Sequence, residues 1–172
     1  YKYYEVNGVR EFQKDRGETF AGPSAGSFVL AVQDAVIAAE NAVIAAESLG
    51  IGSCYIGDIM EQKEYHKTLF NLPEYVFPVA MLTLGYYPED YMVPLKERFA
   101  EKYVVFEERY NELSKEDIDD MFRKRDQLFT AKNKYNAKNY AQMHYNFKVK
   151  APFSKEMQRS VEEALKEWDK KE

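Results

Sequence analysis

Several residue types that mark particular classes of protein are scarce in this chain of 172 residues. Its single cysteine, Cys54, excludes an internal disulfide framework and predicts a reducing, cytoplasmic location. The two histidines, His66 and His144, have no second His, Cys or paired carboxylates at metal-ligand spacing, so we expect no metal site. The chain also has no P-loop, no nucleophile elbow and no dinucleotide-binding glycine fingerprint.

Charge and hydropathy exclude further classes. The formal net charge of −5 argues against general nucleic-acid binding. We expect no apolar run long enough to span a membrane. The length and the share of hydrophobic residues, 45%, are typical of a single soluble domain over residues 1–172. The 14 Tyr and 11 Phe are unusually many, and aromatic residues in such numbers usually fill cores and oligomer interfaces.

The most informative segment is Glu-Ser-Leu-Gly-Ile-Gly-Ser-Cys-Tyr-Ile-Gly-Asp at positions 47–58. A helix pattern stops at Gly50, and Gly52 and Gly57 follow within seven residues. Glycines at this density let the backbone pass close to a flat or phosphorylated ligand. The helix stop needs only Gly50, so we interpret the other two glycines as a functional signal.

The helix before Gly50 is predicted over residues 28–49. The hexapeptide Ala-Val-Ile-Ala-Ala-Glu occurs at 35–40 and again at 42–47, a heptad step that stacks apolar side chains on one face. Because alanine fills the other faces, we expect the helix to be buried nearly all round. It is a packing helix, and the same pattern suits the central helix of a dimer.

The remaining elements follow from periodicity and turn residues. The continuous apolar run 76–86 predicts a central, fully buried strand that begins after Pro78. Three further helices are predicted over 61–70, over 115–129 with Ser114 as cap, and from Ser154 onward. Short strands are predicted at 1–6 and 103–106, a long loop at 7–27, and extended chain wrapping a surface at 130–150.

Two side chains form a candidate anion site. Lys96 and Arg98 are two residues apart and project to the same side if the backbone is extended. Arginine offers a planar fork and lysine a point charge, so together they suit a phosphate. Taken alone, such a pair is most often a solvated surface pair. Cys54 lacks a recognisable base, and we interpret it as a small buried filler rather than a nucleophile.

The segment from Asn41 to Gly57 closely resembles the nitroreductase and flavin reductase family, in which an alanine-rich helix ends in Ala-Ala-Glu-Ser-Leu-Gly-Leu-Gly before Tyr-Ile-Gly-Gly. The resemblance continues through Leu-Pro-Glu-Tyr-Val-Phe-Pro at 72–78 and Leu-Gly-Tyr at 84–86. Lys-Glu-Arg-Phe at 96–99 is similar to the Lys-Pro-Arg segment of the oxygen-insensitive nitroreductase subgroup. Together the similar segments extend over about residues 33–110.

The resemblance implies an α+β fold, in which helices flank an antiparallel sheet and a long helix lies at the centre of a homodimer. It implies FMN as cofactor, NAD(P)H as hydride donor, and a nitro compound, quinone or flavin as acceptor. Tyr55, Ile56, Gly57 and Asp58 would line the isoalloxazine, and Gly57 would let a backbone N–H approach it. Lys96 and Arg98 would hold the FMN phosphate. No catalytic side chain is implied, since the flavin carries the chemistry.

Some features depart from this family. Asp58 replaces a second glycine, and a carboxylate there would disfavour negative charge on the ring unless it points to solvent. The chain begins Tyr-Lys-Tyr-Tyr, so we expect a preceding segment to be missing from it. We also expect residues 130–172 to wrap the partner subunit. Two alternatives stay open, namely a relative that dehalogenates or degrades flavin, and a flavin-binding or dimeric interaction protein without turnover.

Overall fold

The computed structural model describes residues 1–92, 94–95 and 97–169 and divides into two compact units. The first unit comprises Tyr1–Pro88 with the described residues from Lys155 onward, and the second comprises Glu89–Ser154. The first contains α1 (Lys2–Val6), α2 (Val9–Asp15), α3 (Ala25–Ser48), β1 (Ile51–Ile56), a 3₁₀ turn (Gly57–Met60), α4 (Lys63–Leu69), β2 (Met81–Tyr86) and most of α7 (Pro152–Trp168). The second contains a 3₁₀ turn (Glu101–Tyr103), α5 (Lys115–Asp126), α6 (Tyr140–His144) and a π-helical turn (Tyr145–Val149).

Helix α3 is bounded by local signals at both ends. At its start, the Ser24 Oγ accepts the N–H of Ser27 at 3.2 Å, and the Ser27 hydroxyl lies 3.4 Å from the N–H of Ser24, a reciprocal cap. The helix therefore begins at Ala25, earlier than the apolar pattern predicts. Just after its end, Gly50 has a φ of 73°, which confirms the predicted left-handed stop.

The burial of α3 differs from the sequence expectation. Of its residues only Phe28 and Ala46 are buried, whereas Val36, Ile37 and Ile44 are exposed. The prediction of a helix buried nearly all round is wrong for the single chain, because its apolar residues occupy more faces than the unit covers. By length and composition alone α3 could also cross a membrane, with a mean hydropathy of 1.6, so the prediction that no apolar run is that long is wrong as well. Core helices of soluble proteins meet the same criterion.

Strands β1 and β2 form an antiparallel pair whose register joins Ile51 to Tyr86 and Gly52 to Gly85. The predicted strand in the apolar run 76–86 is confirmed, although it begins at Met81. Its predicted full burial is wrong, because the sheet of the described residues has two strands and most of β2 is exposed.

The core of the first unit lies where α7 meets the start of α3. Phe28, Ala164 and Trp168 are buried together, and the rings of Phe28 and Trp168 meet edge to face with centroids 5.2 Å apart. The Tyr75 ring also packs edge to face with Trp168, with centroids 6.1 Å apart. The C-terminal helix therefore packs on helix α3 of its own chain. The expectation that residues 130–172 wrap a partner stays a prediction.

Four segments adopt conformations other than those predicted. Residues 1–6 were expected as a strand and form α1, and the expected loop 7–27 contains α2. The expected strand at 103–106 is replaced by the 3₁₀ turn that ends at Tyr103. The expected extended chain at 130–150 contains α6 and the π-helical turn. Tyrosine, valine and phenylalanine favour strands only where a neighbouring strand is available, so composition misassigned these short segments.

Candidate functional site

The segment Tyr55–Asp58 lies at the end of β1, where the strand turns into the 3₁₀ helix. Ile59 is buried and anchors this turn. Tyr55, Gly57 and Asp58 are exposed, and Ile56 is half-buried. The four residues predicted to line a flavin ring therefore form one continuous turn on the surface of the first unit.

Gly57 leaves open space at this turn. A Cβ built on it would meet nothing closer than the flexible Met60 Cε at 3.9 Å, and its φ is not in the left-handed region. The fold of this unit therefore does not require a glycine at this position. The missing side chain leaves the backbone accessible, as the close approach of a flat ligand would need.

Gly52 differs from Gly57 in this respect. A Cβ on Gly52 would lie 2.4 Å from the Tyr87 Cζ, because the tyrosine ring covers this position of the strand pair. A side chain on Gly52 would therefore require the Tyr87 ring to move, and the interpretation of Gly52 as a functional signal stays a hypothesis. No sequence pattern marks Tyr87 as its neighbour.

Tyr55 has a partner that sequence reasoning missed. Its hydroxyl donates to the Glu40 Oε2 at 3.3 Å, which ties the predicted flavin segment to α3. Burial raises the pKa of Tyr55, and the neighbouring Glu40 charge and hydrogen bond raise it further. The only sequence signal for Glu40 is a carboxylate within an alanine-rich helix. Cys54 is exposed, so the prediction that it is buried is wrong.

A polar network fixes the start of α4, directly after the turn. Glu156 and Ser160 of α7 accept the backbone N–H groups of Gln62 and Lys63, each at 3.1 Å, and so cap α4 from a distant part of the chain. Arg159 donates to both carboxylate oxygens of Glu64 at 3.1 and 2.8 Å. The Arg159 hydrogen bonds lower the pKa of Glu64 to about 2.

A buried ion pair adds to this network. The Lys63 Nζ lies 2.6 Å from a Glu167 carboxylate oxygen, and its side chain is only 8% exposed. Partial burial pushes the pKa of Glu167 upward, but the hydrogen bond and charge of Lys63 outweigh it and lower the pKa. Helix α7 therefore holds the element that follows the candidate turn.

The second candidate group lies in the second unit. Lys96 is outside the described residues. Arg98 is exposed, and no carboxylate of the described residues lies within 4.0 Å of its guanidinium. Its neighbours are anchored on α5, since Glu97 pairs with Lys124 and the Phe99 ring packs 5.2 Å from that of Phe122. Arg98 is therefore available for an anion.

No group of three or more His, Cys, Asp or Glu side chains in the described ranges could hold a metal ion. The residues predicted to contact a flavin ring and its phosphate lie in different units, Tyr55–Asp58 in the first and Arg98 in the second. Within the first unit, Tyr55–Asp58 lie together because they form one continuous turn.

Residues 9–86, which include α3, β1, α4 and β2, match the sequence model of the nitroreductase family. A Cr(VI) reductase from Pseudomonas sp. (strain G-1) is 38% identical over 72 residues, which is 42% of this chain and 30% of that protein.

Solved structures agree over most of the chain. A Bacteroides fragilis protein superimposes with a TM-score of 0.73 at 22% identity over 93% of this chain, and NfrA2 of B. megaterium with 0.67 at 27% over 96%. The NADPH:FMN oxidoreductase of Vibrio harveyi, complexed with NAD+, superimposes with 0.64 at 23% over 94%. This chain covers 65%, 66% and 63% of these proteins, respectively. The predicted α+β fold is confirmed, here with mostly helices and a small antiparallel sheet.

Proposed function

We propose, from the match of residues 9–86 to the nitroreductase family, that the protein belongs to this family and is an FMN-dependent oxidoreductase. It would pass hydride from NAD(P)H to a nitro compound, a quinone or a flavin. The observation that carries the proposal is the exposed turn at Tyr55–Asp58, where Gly57 leaves backbone open within the family-matched segment. The V. harveyi relative, whose name records both NADPH and FMN, supports the choice of cofactor and donor.

The residues present fit this cofactor. Bound FMN would supply the hydride chemistry, so we assign no catalytic side chain. Tyr55, Ile56 and Gly57 would line the ring, with the Tyr55 hydroxyl held by Glu40. Asp58 is exposed at this turn and, facing solvent, would place no buried charge against the ring.

Arg98 and Lys96 would bind the phosphate of FMN. A guanidinium forms paired, charge-assisted hydrogen bonds with phosphate oxygens, and no described carboxylate competes for the Arg98 guanidinium. Replacing Arg98 with alanine should therefore weaken FMN binding by about 1.5–3 kcal/mol and leave riboflavin binding nearly unchanged.

The exposed apolar face of α3 supports a homodimer. Val36, Ile37 and Ile44 are between 42% and 62% exposed on one helix, which is unusual for side chains of this type. A second copy covering this face would bury more than about 2,000 Å², as obligate dimers do. Light scattering at micromolar concentration should give the dimer mass. A cytoplasmic location fits the exposed thiol of Cys54 and a supply of NAD(P)H.

The experiment that tests the function combines a spectrum with turnover. Purified protein should bind added FMN and stay yellow after free flavin is removed, and its oxidation of NADH or NADPH should speed up when a nitroaromatic, a quinone or free flavin is added. Chromate belongs among the acceptors tested, because the Pseudomonas relative is a Cr(VI) reductase. Binding of FMN without turnover would favour a flavin-binding protein. No binding of FMN would refute the proposal.

A further inference from the structure

The segment that carries Arg98 is attached to helix α5 by the residues on either side of it. Glu97 forms an ion pair with Lys124, and the Phe99 ring packs against Phe122 with a 57° angle between the rings. Arg98 itself is exposed and lies in the chain between these two anchored residues.

Arg125 completes this attachment. Its guanidinium lies 4.2 Å from the centroid of the Phe99 ring and 5.7 Å from that of Phe122, so it covers the aromatic pair. A guanidinium over a ring is attracted by the ring's quadrupole, and its planar shape stacks where a lysine would not. Among the described residues no carboxylate lies within 4.0 Å of Arg125, so its positive charge is not cancelled by an ion pair.

The three cations in the last turn of α5 each contact a different partner. Arg123 pairs with Asp120 of the same helix, Lys124 with Glu97, and Arg125 with the two rings. Only the last two therefore touch the segment around Arg98. This difference provides a matched control within four residues of one helix.

We propose that Arg125 is a positioning residue for Arg98, and that the α5 clamp, formed by Phe99, Phe122, Lys124 and Arg125, determines how strongly the protein prefers FMN to riboflavin. This inference rests on the proposed role of Arg98 at the FMN phosphate. The clamp acts on the phosphate alone, because it orients the residue that binds the phosphate and contributes nothing assigned to the ring. Loss of the clamp therefore lowers affinity for the phosphorylated flavin selectively.

The test compares dissociation constants for FMN and riboflavin, measured by flavin fluorescence with the full chain. Arg125→Ala should lower the ratio of the riboflavin constant to the FMN constant, which measures the preference for FMN, by about 3- to 10-fold. Arg125→Lys keeps the positive charge but not the planar guanidinium, so it should retain only part of the preference for FMN over riboflavin. Arg123→Ala removes a cation from the same turn and should leave the ratio unchanged. Equal ratios for Arg125→Ala and Arg123→Ala would overturn the proposal.

Two further variants separate the possible failures. Should Arg125→Ala not fold, Lys124→Ala breaks the other anchor at an exposed position and should lower the same ratio; an unchanged ratio there would overturn the clamp. If Arg98→Ala itself leaves the ratio unchanged, the phosphate role of Arg98 is wrong and the clamp falls with it. If Arg98→Ala lowers the ratio and Arg125→Ala does not, only the clamp is wrong.

A double variant shows how Arg125 acts. If it works through Arg98, the double change of Arg98 and Arg125 to alanine should lower the ratio no further than Arg98→Ala alone. Additive losses would mean that Arg125 binds the phosphate directly, which would overturn its assignment as a positioning residue.

Discussion

Two glycines of the same segment separate binding from folding. Gly50 adopts a φ of 73°. The φ of Gly57 is outside the left-handed region, and there is open space where its side chain would begin. We therefore predict that Gly50→Val destabilises the protein without flavin, and that Gly57→Val removes FMN binding while the protein stays folded.

The size of each effect follows from the local geometry. A left-handed backbone costs a residue with a Cβ about 1–2 kcal/mol, which lowers the melting temperature of a protein of this size by about 2–8 °C. At Gly57 the nearest atom to a new Cβ is the Met60 Cε at 3.9 Å. The change in stability there should stay within about 0.5 kcal/mol, as at an ordinary surface position.

For FMN affinity we expect the opposite ranking, with the larger loss in Gly57→Val. A valine at position 57 would fill the space in which the flavin ring is proposed to meet the backbone. Losing one hydrogen bond there costs about 0.5–1.5 kcal/mol, and the steric clash adds to that cost. We expect the FMN dissociation constant of Gly57→Val to rise at least about 10-fold. That of Gly50→Val should change little at temperatures where it is folded.

The assay pairs thermal unfolding without flavin with FMN titration by fluorescence. Light scattering confirms that both variants keep the assembly of the unmodified protein. If Gly57→Val binds FMN with unchanged affinity, Gly57 does not lie at the ring and the assignment of the Tyr55–Asp58 turn is wrong. A large fall in the melting temperature of Gly57→Val would show instead that the glycine serves the fold.

Three other predictions concern the fold. The pKa of Glu64 is about 2 instead of the usual 4.5, so its pairing with Arg159 stabilises the protein fully above about pH 4.5 and is lost as the pH falls towards 2. The free energy of unfolding in urea should therefore fall between pH 6 and pH 3, and this fall should be about 1 kcal/mol smaller in Glu64→Gln. The effect is no larger because both side chains are about half exposed. Ser160→Ala should lower the unfolding free energy by about 1–3 kcal/mol, because it leaves a buried N–H without its acceptor; an unchanged urea midpoint would contradict this. Gly52→Ala should displace the Tyr87 ring. The resulting change in tyrosine fluorescence should be absent when the same substitution is made in a Tyr87→Phe background.

The parts of the fold set by neighbouring residues were predictable from sequence. Gly50 as a helix stop and Ser114 as a helix cap were both confirmed, since each depends on a few adjacent residues. The Ser114 Oγ accepts the N–H of Asp117, three residues on, at 3.1 Å. The Tyr-Ile-Gly segment is also a continuous motif, within a family-matched stretch, and its role at the flavin stays a prediction.

Burial was not predictable from sequence to the same degree. The sequence of the last helix places Met157, Val161, Leu165 and Trp168 on one apolar stripe. Trp168 is indeed buried, but the most buried residues of the helix are Ser160 and Ala164, and the other three are half-buried. These small side chains lie where another element approaches closely, and Ser160 supplies a hydrogen bond there. Apolar periodicity indicates an amphipathic helix, but small polar residues at a close contact do not contribute to it.

Sequence alone also determined which residues are candidates for binding flavin, because they lie in short continuous motifs. Only the tertiary structure decided which side chains support them. Glu40 holds Tyr55, Arg125 covers Phe99, and the Tyr87 ring covers Gly52. Each of these partners is far along the chain from the residue it contacts. Local conformational preference depends on a few consecutive residues, whereas such contacts depend on how whole elements pack.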